Sequence, residues 1–425
     1  MNVWLVKIGE PVPQVETNIN RLFRTGTFSR VLAEHGHQVT WWTTTFDHFQ
    51  KHHLFQQDTV VNLNDHLTIR MLHACGYTDN VSLKRLRDHR MIATKFASAS
   101  GQVPPPDIIV AAFPSIELCL ACVRYAAKHD VPVLVDVRDP WPDSFAGVMP
   151  AILRPLAGVL LAPLYRQTRQ VFRECNGIMG ICEGYVELGL RHAQRQRCPS
   201  DRVFSLGYRR SCAAGHEIEE AGAALRQMGV DAAKTICLFV GSFGRTYDLA
   251  MLVEAARQCS EKGIDQMQFV LGGHGETFSE MTALAHGLKN IVFTGWLNPI
   301  QIAYLLRVST IGIMPYVAGA LQINPNKLGE YLSAGLPILS TLEGETEELL
   351  AQYGCSATYA PGNPEQLVEK LRHLLDNPSM LHAMRAGSER LYLEKFDAER
   401  IYQDMMAHLE VEVRADKVRK GIVPE

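Results

Sequence analysis

One repeated order narrows the fold more than any other feature: an apolar run, a glycine-bearing loop, an amphipathic helix, then another apolar run. Val3 to Ile8 is such a run and closes on Gly9. Residues 24–36 then read as a helix with Phe28, Val31 and Leu32 on one face, and HQVTWWTTT reads as a strand of β-branched and aromatic residues. Strand, crossover helix, strand is a βαβ unit, and the crossover makes successive strands parallel. Ligands of parallel sheets bind beyond the carboxyl ends of the strands, which here means the loop at Gly9. A chain of 425 residues is too long for one core. A change of composition at RHAQRQRCPSDRV, followed by a second α/β series, divides it. The expected parts are 1–200, 201–392, and a terminal helix and tail at 393–425.

Several function classes drop out. The formal net charge of -3 lacks the basic excess of a general nucleic-acid binder. MNVWLVKIGEP has too short an apolar run for a signal peptide and reads as a first strand, so a cytoplasmic location is expected. Cys119 and Cys122 form a CxxC inside SIELCLACVRYAAKH, where both fall on an apolar helical face; they read as small buried hydrophobes rather than a metal or redox pair. His48, His52 and His53 read as surface loop residues, and LKRLRDHR as a charged outer helix. Residues 148–173 are apolar but carry prolines and arginines, which excludes a span. They suit either a helix lying peripherally on the inner membrane or an ordinary cover helix.

Chemistry-bearing residues gather at strand ends. Glu10, Arg21 and Arg24 stand in a long polar loop after the first strand and read as a rim that grips an acceptor. VDVRDPWPD ends a strand in Arg138 and Asp139. In the second half, TICLFVGSFGRTYD resembles a phosphate cradle, with Gly241 and Gly244 allowing close approach and Arg245 adding charge. It is neither GxGxxG nor a Walker loop. A second glycine loop follows at Gly273 in VLGGHGE. In QINPNKLGEYLSAGLPILS the spacing predicts a helix over 327–334, stopped by Gly335 and Pro337. Glu330 lies one turn inside a helix start that can hold a phosphate, as a nucleotide-sugar pocket requires.

Taken in order, RTGTFSRVLAEHGHQVTWWTTTFDH, VDVRDPWPD, GSFGRTYD with LVEAA, VLGGHGE, FTGWL and PNKLGEYLSAGLP resemble the retaining glycosyltransferases of family 4 over nearly the whole chain. The branch it resembles builds bacterial surface polysaccharides and O-antigens. The resemblance implies a GT-B fold: two facing Rossmann-like domains with parallel sheets, and a C-terminal helix returning to the first. It implies a nucleotide-sugar donor, with UDP expected, in the second domain and a lipid-linked or saccharide acceptor in the first. It also implies that Glu330 binds the ribose hydroxyls, that backbone around Asn326 to Leu328 meets the diphosphate, and that the backbone near Trp296 and Leu297 holds the base. No cofactor and no metal is expected.

The sequence departs from the family at three places. Gln322 stands eight residues before Glu330, where many relatives carry a second glutamate. Ser242 and Tyr247 replace an arginine and a lysine, so the diphosphate is assigned to Arg245 with Lys327. Arg138-Asp139 replaces a His-Asp pair. Two alternatives stay open: a UDP-sugar 2-epimerase of the same fold, and a non-catalytic sugar-nucleotide-binding subunit.

Overall fold

The computed structural model describes residues 1–13, 22–79, 82–145, 156–320 and 322–422. They form two compact units, one of Met1–Ser205 with Arg400–Glu425 and one of Leu206–Glu399. The first boundary falls five residues beyond 200 for a physical reason. Arg202 and Val203 form an edge strand of the first sheet, and the Phe204 and Ser205 carbonyls accept hydrogen bonds from Arg24 in the same unit.

The strands of the first unit are β1 (Asn2–Val6), β2 (Gln38–Thr44), β3 (Phe46–Asp47), β4 (His52–His53), β5 (Thr59–Asn64), β6 (Leu67–Leu72), β7 (Ile108–Phe113), β8 (Val133–Val137), β9 (Gly177–Gly180) and β10 (Arg202–Val203). Eight of them make a sheet in the order β10-β9-β8-β7-β1-β2-β6-β5. Every pairing is parallel except β5 with β6. IIVAAF is a continuous apolar run and VLVDV is apolar except for Asp136, and both are buried along their whole length, as strands covered on both faces must be. Strand β1 lies between β2 and β7, so the winding reverses there and the β1 loop becomes the switch point. Cys119 and Cys122 are buried in the helix Ile116–His129, and burial pushes both thiols up, as befits apolar filler.

Two local readings need correction. His48, His52 and His53 are not a plain surface loop, because β3 and β4 pair as a small antiparallel ribbon around them. His48 is half-buried on the Tyr77 hydroxyl at 2.6 Å, and His53 shares the Thr45 hydroxyl with His73. The terminal helix does not run unbroken from 393 either; one helix ends at Lys395, the chain breaks at Phe396–Asp397, and a new helix runs over Ala398–Arg419. From Arg400 onward it is part of the first unit, where Tyr402 stacks on Phe28, and Met405 and Leu409 are buried.

The second unit has six strands, β11 (Thr235–Val240), β12 (Met267–Gly272), β13 (Ile291–Gly295), β14 (Ile311–Met314), β15 (Ile338–Ser340) and β16 (Ser356–Thr358). All pair in parallel in the order β13-β12-β11-β14-β15-β16. Along the chain this is third, second, first, fourth, fifth, sixth: the doubly wound order, whose ligand crevice opens between the first and fourth strands. Two apolar clusters cover the faces. Helices Leu249–Glu261 and Pro364–Asp376 supply one, and helices Pro299–Val308 and Asn326–Ser333 supply the other. Caps predictable from sequence start several of these helices; Asn298, for example, accepts from the amides of Ile300 and Gln301 ahead of Pro299.

Candidate active site

The switch point of the second sheet lies between the ends of β11 and β14, and the helix Asn326–Ser333 is pinned beside it. Tyr331 is the rivet. Its hydroxyl accepts from Val240 N at 3.0 Å and donates to Leu238 O at 3.2 Å, and its ring crosses β14 where Gly312 has no side chain. Pro325 caps this helix without a side-chain hydrogen bond. Asn324 adopts a left-handed φ of 46° just before it, with its amide bonded to the Thr346 hydroxyl at 3.1 Å.

This docking puts Lys327 and Glu330, three residues apart on one helical face, into the interior at 5% and 3% exposure. The Lys327 ammonium sits 3.6 Å from the centroid of the Tyr247 ring, 4.0 Å from Phe239 and 5.5 Å from Tyr316. Among the described residues it has no hydrogen-bond partner. Burial pushes its pKa well down, and the nearby Glu330 carboxylate only partly opposes this. A side chain on Gly241 would press on this amine at 3.0 Å, so the strand-end glycine is what admits the lysine. Gly273, with φ of +131°, packs against Gly241 so closely that a Cβ would fall 1.8 Å from the Gly241 carbonyl oxygen. Bare backbone at two strand ends, a buried amine over it and a carboxylate one turn along suit an anion next to a hydroxyl-bearing group. A lysine about 4 Å from a phosphate contributes about 4 kcal/mol at an effective dielectric of 20, before desolvation.

The other residues expected at a donor pocket distribute unevenly. Gln322 and Asn326 are exposed on the approach to the helix. Leu328 is fully buried core, and its amide is already bonded to the Pro325 carbonyl at 2.9 Å. Gly244 lies in the loop after β11 with open space around it. Arg245 stands apart: its side chain is 79% exposed and paired with Glu276 at 2.7 Å. Trp296 is 78% exposed just past β13, and Leu297 folds back over Gly272, where a Cβ would meet it at 2.4 Å. The aromatic cage of Phe239, Tyr247 and Tyr316 had no signal in the sequence beyond its residue types. Tyr247 read only as a missing lysine.

In the first unit, Glu10, Arg24 and Arg138 converge on Asp136. Arg24 grips the Asp136 carboxylate with Nε at 2.9 Å and a second guanidinium nitrogen at 3.0 Å. Arg138 Nε reaches the same carboxylate at 2.8 Å and pairs with Glu10 through Nη1. Glu10 also accepts from the Thr25 amide at 2.9 Å and the Thr25 hydroxyl at 3.0 Å. Burial opposes the Asp136 charge, but the two arginines overcome it and hold the carboxyl at about 2. The charges of Glu10, Arg24 and Arg138 are thus largely spent on one another, and the network ties the strand ends of this unit together. Asp139 lies outside it, its carboxyl pushed up by burial against the pull of Lys7, Arg85 and Arg138. Arg21 falls outside the described residues.

Comparison with known proteins bears on the fold and on the second unit. Residues 234–377 match the model of the family described as Glycosyl transferases group 1, and this span lies inside the second unit. No curated protein sequence matches the chain significantly. Among solved structures, sucrose-phosphate synthase from Thermosynechococcus elongatus superposes with a TM-score of 0.70 at 13% identity, covering 97% of this chain and 99% of that one. HepE from Anabaena, in complex with UDP-glucose, gives 0.64 at 12% identity over 97% and 100%. WaaG, a glycosyltransferase involved in lipopolysaccharide biosynthesis, gives 0.62 at 15% over 95% and 98%. At such identities the likeness establishes architecture, and the domain match adds the chemistry. With the doubly wound second sheet and the domain at 234–377, the chain has the GT-B fold and carries a glycosyltransferase domain of group 1.

Proposed function

We propose that this enzyme moves a sugar from a nucleoside-diphosphate donor, first of all a UDP-linked sugar, to a lipid-linked or saccharide acceptor. It does so with retention of configuration, in the manner of family 4, as a step in surface-polysaccharide or O-antigen assembly. The observation that carries the reading is the Lys327–Glu330 pair at the β11/β14 switch point. HepE, of the same fold, binds UDP-glucose, which supports the donor assignment.

In this reading Glu330 accepts the ribose hydroxyls, and Lys327 leaves its aromatic cage for the diphosphate. As the glycosidic bond breaks, negative charge grows on the departing diphosphate. The ammonium that has moved to the diphosphate and the amides at the helix start stabilise that charge where a divalent metal serves in metal-dependent enzymes. The acceptor oxygen attacks from the face the diphosphate leaves, and its proton passes to the departing phosphate. Asp139 orients the acceptor, next in the chain to Arg138, which is tied into the Asp136 network. Arg245 would join the diphosphate only by leaving Glu276, an exchange that costs little for an exposed pair.

The acceptor could meet the enzyme at a lipid surface. Among the described residues no helix is long and apolar enough to cross a membrane. Leu156, Val159 and Leu160 nevertheless stand exposed next to the helix Ala162–Glu174, on which Arg166, Arg169 and Arg173 are also exposed. Apolar groups beside arginines suit peripheral contact with anionic lipid. The earlier part of 148–173, through residue 155, lies outside the described residues.

Thermal shift with a panel of nucleoside diphosphates and their sugars tests the donor assignment. UDP should raise the melting temperature of the wild type, and Glu330→Ala should weaken UDP by roughly 10- to 150-fold, the equivalent of about 1.5–3 kcal/mol for a charge-assisted hydrogen bond. If no nucleotide stabilises the wild type, the reading fails.

A further inference from the structure

The helix layer of the first unit carries a groove that sugar transfer leaves unused. Helix Ile116–His129 lies between helices Leu83–Ala99 and Ala162–Glu174 and packs on both. Its inner face, with Leu118, Cys119, Cys122 and Val123, is buried against the sheet. The opposite face presents Glu117, Leu120, Ala121, Arg124 and Lys128, each about one turn from the next, to the groove. Ala93 and Ala97 keep the neighbouring wall thin, and about 1160 Å³ stays open between the helices. Small-molecule pockets hold roughly 300–1,000 Å³, so this groove exceeds what a single sugar fills. None of Glu10, Arg138 and Asp139 lines it.

Its lining is divided between apolar and cationic groups. Leu120, Ala121, Tyr125 and Leu164 give an apolar floor, and Arg90, Arg124, Lys128 and Arg166 stand exposed around it. Arg124, Lys128 and Arg166 make no hydrogen bond or ion pair through their side chains among the described residues. Like charges one turn apart repel, so Arg124 and Lys128 favour an anion between them. Glu117 is the one carboxylate on the described lining, and burial pushes its pKa up against the pull of its own amide and of Arg90. Asp130, just past the helix end, is already taken by Arg419 and Lys420. A floor of hydrocarbon ringed by cations complements an amphiphilic anion. Position points the same way. Exposed Leu156, Val159 and Leu160 lead directly into Ala162 and Pro163, which line the groove. Helices that join parallel strands run back against them, so Glu117 and Pro163 lie at the carboxyl edge of the sheet, the edge of Arg138 and Asp139.

We propose that this groove seats an anionic membrane lipid, its phosphate on Arg124, Lys128 and Arg166 and its first methylenes along Leu120 and Ala121. This rests on the reading that the acceptor is met at a lipid surface, and it gives that surface a discrete site. A lipid held here brings the carboxyl edge of the first sheet, where the acceptor is assigned, to the membrane.

Flotation of the full chain with vesicles tests it, using phosphatidylcholine alone and phosphatidylcholine mixed with phosphatidylglycerol. The wild type should bind the mixed vesicles and leave the neutral ones. Arg124→Gln, Lys128→Gln and Arg166→Gln should each weaken that binding about fivefold, the effect of one cation near an anionic surface. Ala121→Trp keeps every charge and fills the floor; it should cost about tenfold or more, the worth of about two buried methylenes. Ala121 is half-buried and Ala97 exposed, so Ala97→Trp on the facing wall supplies a second filling variant, and circular dichroism confirms that each is folded. Arg372→Gln, an equal loss of charge on the second unit, should leave binding unchanged. Folded groove variants that bind as well as the wild type overturn the proposal and leave the lipid-surface reading standing. Displacement of the vesicles by glycerol 3-phosphate, which carries the anion without chains, overturns it too. A wild type that binds neither vesicle, or both alike, defeats the proposal, and binding to neither defeats the lipid-surface reading with it. UDP-induced thermal shift on the same samples reports the donor reading separately.

Discussion

A lysine amine set among three aromatic rings, with no hydrogen-bond partner among the described residues, has given up hydration that cation–π attraction offsets only in part. In the proposed reading, Lys327 is a site that ligand binding completes. Replacing it with methionine keeps the stem and the contacts with the rings. Lys327→Met is expected to raise the stability of the nucleotide-free protein by about 1 kcal/mol in urea denaturation, and to abolish the stabilisation by UDP. The sign of the pH dependence follows from the lowered pKa. In the window between the folded value and 10.5 the unfolded chain binds a proton that the folded one gives up, so this contribution to stability improves as pH rises through that window. The methionine variant should lose that slope. A variant that is less stable without nucleotide, yet still responds to UDP, would place Lys327 in the core rather than in the pocket.

Between elements, the first unit depends on the grip of Arg24 and Arg138 on Asp136. Removing one member of a buried ion network leaves charges without partners, so Asp136→Asn should cost roughly 3 kcal/mol at neutral pH. The carboxyl titrates at about 2 in the folded protein against 3.8 when free. Its depressed value means that the stabilisation is complete above 3.8 and disappears as pH falls toward 2. Urea midpoints at pH 7 and at acid pH, compared between wild type and Asp136→Asn, should converge as the pH drops. The elements themselves were largely legible in the sequence. Continuous apolar runs such as IIVAAF and TICLFV marked buried parallel strands, and Gly335, with φ of +64°, ends the helix Asn326–Ser333 as its placement before Pro337 foretold. What could not be read was pairing between distant residues. Two-residue strands such as β3 and β4 leave no periodicity, and Phe239, Tyr247, Tyr316 and Lys327 meet only through the docking of a helix. Arg245 shows the converse case. It adjoins a glycine loop in sequence, yet its position is set by Glu276 from another loop.

Over the whole molecule, two units with separate sheets and separate cores carry different ligand assignments. Scanning calorimetry should resolve two transitions, and saturating UDP should raise only that of the second unit. At a hundredfold excess over the dissociation constant the gain is about 2.7 kcal/mol, or roughly 5–10 °C for a unit of this size. A single transition that shifts as a whole would instead mean that the units unfold together. The helix from Arg400 adds a condition in time. The first unit needs Tyr402 on Phe28, Lys417 on Asp107 at 3.0 Å and Arg419 on Asp130 at 2.6 Å to close its surface. During translation these residues follow Leu206–Glu399, which a ribosome takes roughly 10–40 s to make. The second unit is complete in chain at the end of that interval, while the first waits on the ribosome throughout it with an apolar strip open. The unit made first is thus completed last, and a chaperone that shields nascent chain would be needed for its sheet more than for its partner's.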